Sequence, residues 1–396
     1  MVSRLAFCSS HIQFLHVDVH FDVPLDIEFG QSKLLLSHLS AVSKVVNSKN
    51  KLSILDNFLF NLEGDKLVIT GSDQETTLTT NVQVQNPEGS GKFAANVKKL
   101  LDLLKQLPDL ALTFDVNDEN LEINITYLHG KFNFIGVNGN EFPVKAASEE
   151  EPKHLTLPCK TVVEGIQQTI FAVGVEEMRP VMMGIFWDIK PDEIVFVASD
   201  THKLVRYRKL NIQTGHELSF ILPTKPAAIL SSILEKKDGD VNITVDSKSA
   251  TFETADYTLT CRFVNGRYPN YNSVIPTTNQ YNVSIDRVQL LNALRRVSVF
   301  TSSSGLVKLE MRPDEVLMST QDIDYSTSAE ERIVCDYNGV EMAIGFNDEN
   351  IIDVLNNIDA ENISVQLIDP TRAGLFLPVE QKENEELLVL LMPMML

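Results

Sequence analysis

A chain of 396 residues is too long for one ordinary core and fits roughly two to four domains. Hydrophobic content of 43% with 22% charged residues is that of a folded globular protein, and no run of about 18 apolar residues is present to cross a membrane as a helix. The net charge of −20 excludes a surface coated in basic patches, although a confined basic surface can sit inside an acidic body.

The first segment, "MVSRLAFCSSHIQFLHVDVHF", has one early Arg but no clean apolar stretch, because Ser, His and Gln interrupt it. It does not read as a signal peptide. Residues 1–24 match nothing later in the chain. His16 and His20 are spaced for one helix face, but no third metal ligand is in view. Cys8, Cys159, Cys261 and Cys335 lie far apart without a CxxC pair, a pattern of buried thiols in a reducing cytoplasm rather than a disulfide or zinc framework.

From there on the chain repeats itself. "FLFNLEGDKLVITGSDQETTLTT" from Phe58, "IFWDIKPDEIVFVASDTHKLVRY" from Ile185 and "LVKLEMRPDEVLMSTQDIDYSTS" from Leu306 share one pattern: alternating strand, polar turn, strand, then an Asp step. Asp65, Asp192 and Asp314 hold one turn position, and Asp73, Asp200 and Asp322 another. "VNGNEFP" from Val137 and "VNGRYPN" from Val264 keep the same offset as the first two units. Helical segments precede each strand pair at 31–48, 159–172 and 286–300, and follow it at 94–107, 224–237 and 347–358. Each unit thus holds two helices and about eight strands, an α+β arrangement of antiparallel sheets with helices on one face. The polar stretches 145–153 and 276–282 read as linkers. The expected domains are 25–148, 149–278 and 279–396, after an unmatched extension 1–24.

The helices escape the acid load. The segments 31–49 and 92–107 carry +3 each, 223–237 and 286–300 carry +2 each, 159–172 is neutral and 347–359 carries −4. Lys33 and Lys44 share a helix face, as do Lys98 and Lys105, opposite the apolar stripes Leu35/Leu39/Val42/Val46 and Val97/Leu100/Leu101/Leu104. A lysine on a solvent face is ordinary on any one helix. Repeated over related helices of an acidic chain, it points to a shared surface for phosphates.

Catalytic signals are weak. "PEGSGKF" (87–93) lacks phosphate-loop spacing and reads as a hairpin turn. "DVNDEN" (115–120) lacks the Gly and Glu of a calcium loop and reads as a polar hairpin tip. Ser199, Asp200 and His202 lie in no nucleophile elbow, and strand alternation spoils them as a triad. The carboxylates are dispersed over turns, against a metal-dependent hydrolase.

The repeats together with "VASDTHKLVRY", "FVNGRYPNYNSVIP", "IGFNDENIIDVLN" and the terminal "LMPMML" resemble the bacterial DNA polymerase III beta subunit, the sliding-clamp family, from about residue 25 onward. The resemblance implies a head-to-tail homodimeric ring of six similar domains, helices lining the hole. It implies a non-catalytic, cytoplasmic processivity factor without cofactor, which encircles double-stranded DNA and docks the polymerase alpha subunit, clamp-loader subunits and other motif-bearing proteins. The DNA channel would take Lys33, Lys44, Lys49, Lys98, Lys99, Lys105, Lys160, Lys225, Arg295 and Arg296. Matching positions for a partner-peptide pocket are Met182, Ser199, Thr201, His202, Lys203, Leu204, Pro269, Val274, Asn347, Thr371, Leu390, Leu391, Met392, Pro393, Met394 and Leu396. Taken alone, Leu204 and Val274 read as core.

This chain departs from the family at several points. Thr201 stands where Gly is common, Lys203 where Arg is, Met395 where a terminal Arg is, and Pro180–Val181 replace an aromatic pair. Leu387–Leu391 reads as a closing strand of the third domain, with Pro393 ending its ladder. A secreted β-rich adhesion module is the competing reading; it predicts a signal peptide and no basic helix faces.

Overall fold

The computed structural model describes residues 25–29, 31–117, 119–143, 151–337 and 339–396. The extension 1–24 and part of the first linker lie outside them. Along the chain run β1 (Leu25–Phe29), α1 (Ser32–Ser43), β2 (Asn57–Glu63), β3 (Lys66–Ser72), β4 (Thr76–Gln83), β5 (Gln85–Glu88), β6 (Gly91–Asn96), α2 (Val97–Gln106), β7 (Leu112–Val116), β8 (Glu122–Tyr127), β9 (Gly130–Ile135) and β10 (Val137–Asn138). The order β, α, three strands, β, α, three strands then recurs as β11 (Lys153–Pro158), α3 (Cys159–Gln167), β12 (Gly184–Ile189), β13 (Glu193–Ser199), β14 (Lys203–Leu210), β15 (Leu218–Pro223), α4 (Thr224–Leu234), β16 (Asp240–Val245), β17 (Ser249–Glu253) and β18 (Tyr257–Arg262). It recurs again as β19 (Tyr281–Asp286), α5 (Arg287–Val297), β20 (Leu306–Arg312), β21 (Glu315–Asp322), β22 (Thr327–Val334), β23 (Met342–Asn347), α6 (Asp348–Asn357), β24 (Asn362–Leu367), β25 (Gly374–Pro378) and β26 (Glu385–Leu391). The expected triplication is present, the first unit adding β5 and β10 to the shared order.

The repeated aspartates explain its most regular detail. Asp73 Oδ1 accepts from the amides of Glu75 and Thr76, Asp200 Oδ1 from those of His202 and Lys203, and Asp322 Oδ1 from those of Asp324 and Tyr325. One side chain thus closes the turn after the second strand of each triple, as short acidic side chains do.

Two compact units divide the chain. The first holds the described residues up to 39, 57–69 and those within 81–142. Its five-stranded sheet runs β5-β1-β7-β8-β9, and β6 lies between β10 and β2. Phe60 stacks on Phe93 with centroids 4.8 Å apart, and Phe29 meets Phe114 edge-on at 5.0 Å. Over this aromatic core α2 buries Leu100, Leu101 and Leu104 and leaves Lys98, Lys99 and Lys105 exposed. Asn96 caps it by accepting from the Lys99 amide at 3.0 Å. The stretch 87–93 is not a hairpin turn: β5 pairs with β1 and β6 with β2, so the chain changes sheets there.

The second unit holds residues 40–56, 70–80 and the described residues from 143 on. Residues 76–80 of β4 pair with β18, which leads through β17 and β16 to β11. An eight-stranded sheet runs β15-β12-β13-β14-β26-β25-β24-β19, and a four-stranded one β22-β21-β20-β23. Trp187 is fully buried, edge-on to Phe196 at 4.7 Å. Gly165 of α3 lies under the Phe196 ring, where a Cβ would stand 2.4 Å from Cζ. Asp286 and Asn347 cap α5 and α6.

Several expectations change. α1 stops at Ser43, where the amides of Lys44, Val45 and Val46 tighten to carbonyls three residues back, so Lys49 lies beyond the helix. The strand β26 is no closing edge: it lies inside the sheet between β14 and β25 and joins the second repeat to the third. The expected linker 276–282 runs into β19, which begins at Tyr281; ahead of it, Tyr268 and Tyr271 are buried. Among the described residues no helix is long and apolar enough to cross a membrane.

Candidate functional site

Two of the expected partner-peptide residues, Leu204 and Leu390, meet on the β14–β26–β25 ladder. Leu204 lies opposite Leu390, and Leu390 opposite Leu375, so three leucines stand side by side on one sheet face. Val195, Val197 and Ile221 extend the apolar surface, and Tyr268 and Tyr271 pack on it from the connection ahead of β19. Tyr268 stacks on Phe186 with centroids 4.7 Å apart, and Tyr271 donates to Asp188 Oδ2 at 2.9 Å. Burial, then the bond to Asp188, push the Tyr271 phenol up to about 12, so it stays a neutral donor. Met182 and Val181 flank the cluster, half-buried.

Two main-chain bonds stitch the tail into place. The Met392 amide donates to the His202 carbonyl at 2.8 Å, and the Met394 amide to the Gly345 carbonyl at 2.8 Å. The second requires glycine: a Cβ at Gly345 would stand 2.9 Å from the Met394 carbonyl oxygen. Leu391 is buried, Pro393 and Met394 are half-buried, and Met392, Met395 and Leu396 are exposed. The tail is therefore fixed in backbone and free in side chain, and thioethers adapt to varied guests.

The polar candidates hold the scaffold. Ser199 Oγ donates to the Lys203 carbonyl at 2.9 Å, and Asp200 serves the turn, so with His202 they form no triad. Thr201 takes φ +80°, the conformation for which Gly is suited. The buried Lys203 ammonium reaches Asp200 at 2.8 Å, Asp353 at 3.4 Å and Asn350 Oδ1 at 3.1 Å. It thereby gives the acidic α6 a local countercharge. Asn347 caps α6 beside it. Val274 is 56% exposed and corrects the core reading, whereas Leu204 is buried. Pro269 is exposed between the two tyrosines, and Thr371 is exposed in a turn, bonded to Asp369 and two residues before the buried Ala373. Sequence reasoning passed over Tyr268, Tyr271, Ile221, Leu375 and Leu388, although the two tyrosines sit three apart in a motif it singled out. A groove of about 1010 Å³ adjoins this cluster and shares Phe186, Asp188, Ile221, Tyr268 and Tyr271 with it; of the expected residues it includes only Pro269.

The basic candidates divide. Lys33, Lys49, Lys98, Lys99, Lys105 and Lys160 are exposed, Lys160 with only a 3.9 Å contact to Glu164. Lys44 donates to Ser232, Arg295 donates to Asn356 at 2.8 Å, and Arg296 donates two hydrogen bonds to the Glu331 carboxylate. Lys225 is spent on the protein: its ammonium is held by the Val45 carbonyl at 2.5 Å, Asn47 Oδ1 at 2.6 Å and Asp73 Oδ2 at 2.6 Å.

Models of the DNA polymerase III beta subunit match three times in succession: the N-terminal domain over residues 30–146, the central domain over 156–270 and the C-terminal domain over 272–395. The chain belongs to the DNA polymerase III beta subunit family. The beta sliding clamp of Pseudomonas aeruginosa is 28% identical over 381 residues, covering 92% of this chain and 99% of that protein. The Staphylococcus aureus beta sliding clamp is 25% identical over 368 residues, covering 90% and 96%. A crystal structure of the Pseudomonas aeruginosa clamp bound to griselimycin superposes with TM-score 0.88 at 26% identity, over 94% of this chain and all of that one. The Bacillus subtilis clamp gives TM-score 0.87 at 23% identity, over 94% of this chain and all of that one, a likeness of fold. The function of this beta subunit is that of a sliding clamp in DNA replication, a processivity factor and not an enzyme. The adhesion reading finds no support in these matches.

Proposed function

We propose that two copies of this chain meet head to tail in a cytoplasmic ring that encircles duplex DNA and tethers the replicative polymerase. The observation that carries the reading is the succession of three beta-subunit domains along one chain. Three domains and a two-fold axis make six, and closed symmetry uses up sheet edges that would otherwise aggregate. Two such edges are at hand: β9 ends the five-stranded sheet with Ile135 exposed, and β22 ends the four-stranded sheet with Val334 exposed.

Lys33, Lys49, Lys98, Lys99, Lys105 and Lys160, with Lys44, Arg295 and Arg296 partly engaged, supply loose, sequence-blind phosphate contacts inside the ring. The leucine-tyrosine pocket and its methionine tail receive short apolar segments of the polymerase alpha subunit, the clamp loader and other partners. Tethering makes polymerase rebinding intramolecular. Retention on nicked circular DNA tests the ring. The loaded protein should stay on the circle and slide off once it is linearised; equal loss from both would refute topological holding. A mass measurement that finds only monomer at micromolar concentration would refute the dimer.

A further inference from the structure

One row beyond the pocket, on the same sheet face, a second compartment opens. Arg206 lies opposite Leu388 as Leu204 lies opposite Leu390, and residues two apart on one strand face stand about 7 Å apart. Arg206, Leu388, Leu377, Ile275, Asn279 and Gln366 line a cavity of about 530 Å³. Two polar atoms of these residues, Arg206 Nε and Asn279 Oδ1, are buried and have no hydrogen-bond partner among the described residues.

The surroundings do not supply one. Glu386 Oε2 is 3.9 Å from Arg206 Nη2 and is already bound by Arg208 at 2.6 Å. The Asn279 amide heads a chain with one direction: its Nδ2 donates to Gln366 Oε1 at 3.1 Å, Gln366 Nε2 donates to Ser364 Oγ at 3.5 Å, and Ser364 Oγ donates to Asn282 Oδ1 at 2.5 Å. That direction leaves Asn279 with an acceptor and nothing to accept from.

The two vacant valences are complementary, and they select a guest. Arg206 Nε needs an acceptor and Asn279 Oδ1 needs a donor. A carboxylate brings acceptors only and an ammonium brings donors only, whereas an amide brings one of each. Leu377, Leu388 and Ile275 add room for an alkyl flank. We propose that this compartment binds a peptide unit, the main-chain amide of an extended partner segment that continues about two residues out of the leucine-tyrosine pocket. The identity of the partner rests on the pocket reading; the amide preference does not. Its consequence is selectivity: partners whose chain continues in extended form gain two bonds that a segment ending at the pocket lacks.

The test titrates N-methylisovaleramide, one secondary amide with a branched alkyl flank, into the whole chain labelled with nitrogen-15 at arginine Nε. The Arg206 signal is identified by its loss in Arg206→Lys. The expected result is a saturable Arg206 shift. Methyl isovalerate, which lacks the N–H, and isovalerate, which is charged and acceptor-only, should bind about tenfold more weakly. Asn279→Leu should erase the preference for amide over ester. No saturable shift, equal response to amide and ester, or tighter binding of isovalerate would overturn the proposal. Tighter binding of the primary amide isovaleramide would assign the compartment to a side-chain carboxamide and overturn the main-chain assignment. Griselimycin is titrated in parallel against the methyl signals of Met392 and Met394. If it shifts them while Arg206 ignores the amide, this inference falls and the pocket reading stands; if it leaves them unmoved while Arg206 responds, the pocket reading falls and the amide site stands.

Discussion

The Lys203 ammonium, on the second repeat, stands 3.4 Å from the Asp353 carboxylate on α6 of the third. The lysine side chain is 9% exposed and the aspartate 41%, so the two ends of the pair are worth different amounts. Lys203→Met strands the half-buried Asp200 and is expected to cost about 1–3 kcal/mol in chemical denaturation. Asp353→Asn, at the wetter end, should cost under about 1 kcal/mol. Equal costs would show that the contact with Asp353, not the burial of Lys203, sets the energy.

Thr201 adopts φ +80°. A β-branched side chain there is strained by about 1–2 kcal/mol, partly offset by the greater freedom of an unfolded glycine. Thr201→Gly is therefore expected to raise stability by about 0.5–1 kcal/mol, read as a higher denaturation midpoint at unchanged slope. The same substitution at His202, one residue on, should bring no gain.

Lys225 and Lys98 are both lysines at or near a helix start, and their substitutions should behave differently. Lys225→Met removes three oxygen contacts and leaves the 8%-exposed Asp73 side chain without its ion pair; stability should fall by about 1–3 kcal/mol. Lys98→Ala should leave stability unchanged within about 0.5 kcal/mol and make DNA retention less sensitive to salt, by about one unit of slope for each lost phosphate contact. Denaturation and salt titration of the two variants separate the roles.

Removing residues 392–396 takes away the adaptable side chains and one wall of the proposed pocket. Affinity for a short apolar partner peptide is expected to drop about a hundredfold, with the oligomeric state unchanged by mass measurement. Unchanged affinity would move the site elsewhere.

The β14–β26 seam is acid-sensitive. Burial works against ionised Glu385, but hydrogen bonds from Lys209 and Tyr207 outweigh it and hold the carboxyl below its ordinary value. Glu193 is lowered likewise, burial being outweighed by Lys190 and Arg208. A carboxyl lowered by folding adds stability that is complete above its unfolded value near 4.5 and is lost as pH falls through the folded value. Stability should thus be level above about pH 5.5 and decline below about 4.5. Glu385→Gln should flatten that decline, and an unchanged acid slope would count against it.

Much of this was legible because it is local. The offsets of Asp73, Asp200 and Asp322 announced the repeat, since one turn closed by one side chain needs the same residue at the same step each time. What the sequence hid depends on distant partners. Nothing in the alternation of Leu387–Leu391 says that β14 lies alongside, because a strand edge looks alike whatever pairs with it. Nothing around Lys225 names Val45, Asn47 and Asp73 as its neighbours. Val274 has the composition of core and the position of rim, a distinction made only when Tyr271 turns inward three residues earlier.

The interior position of β26 also orders the protein's birth. β14 is complete long before its neighbour exists, since 178 residues separate Arg208 from Glu386. At ribosomal speed those residues take roughly 10–40 s to make. For that time the second repeat carries an unsealed hydrogen-bonding edge, with Leu204 and Val205 along it. A nascent chain stalled in the third repeat is therefore a sticky object, and the seam to which we assign the partner pocket is also the one on which a half-made copy would catch its neighbours.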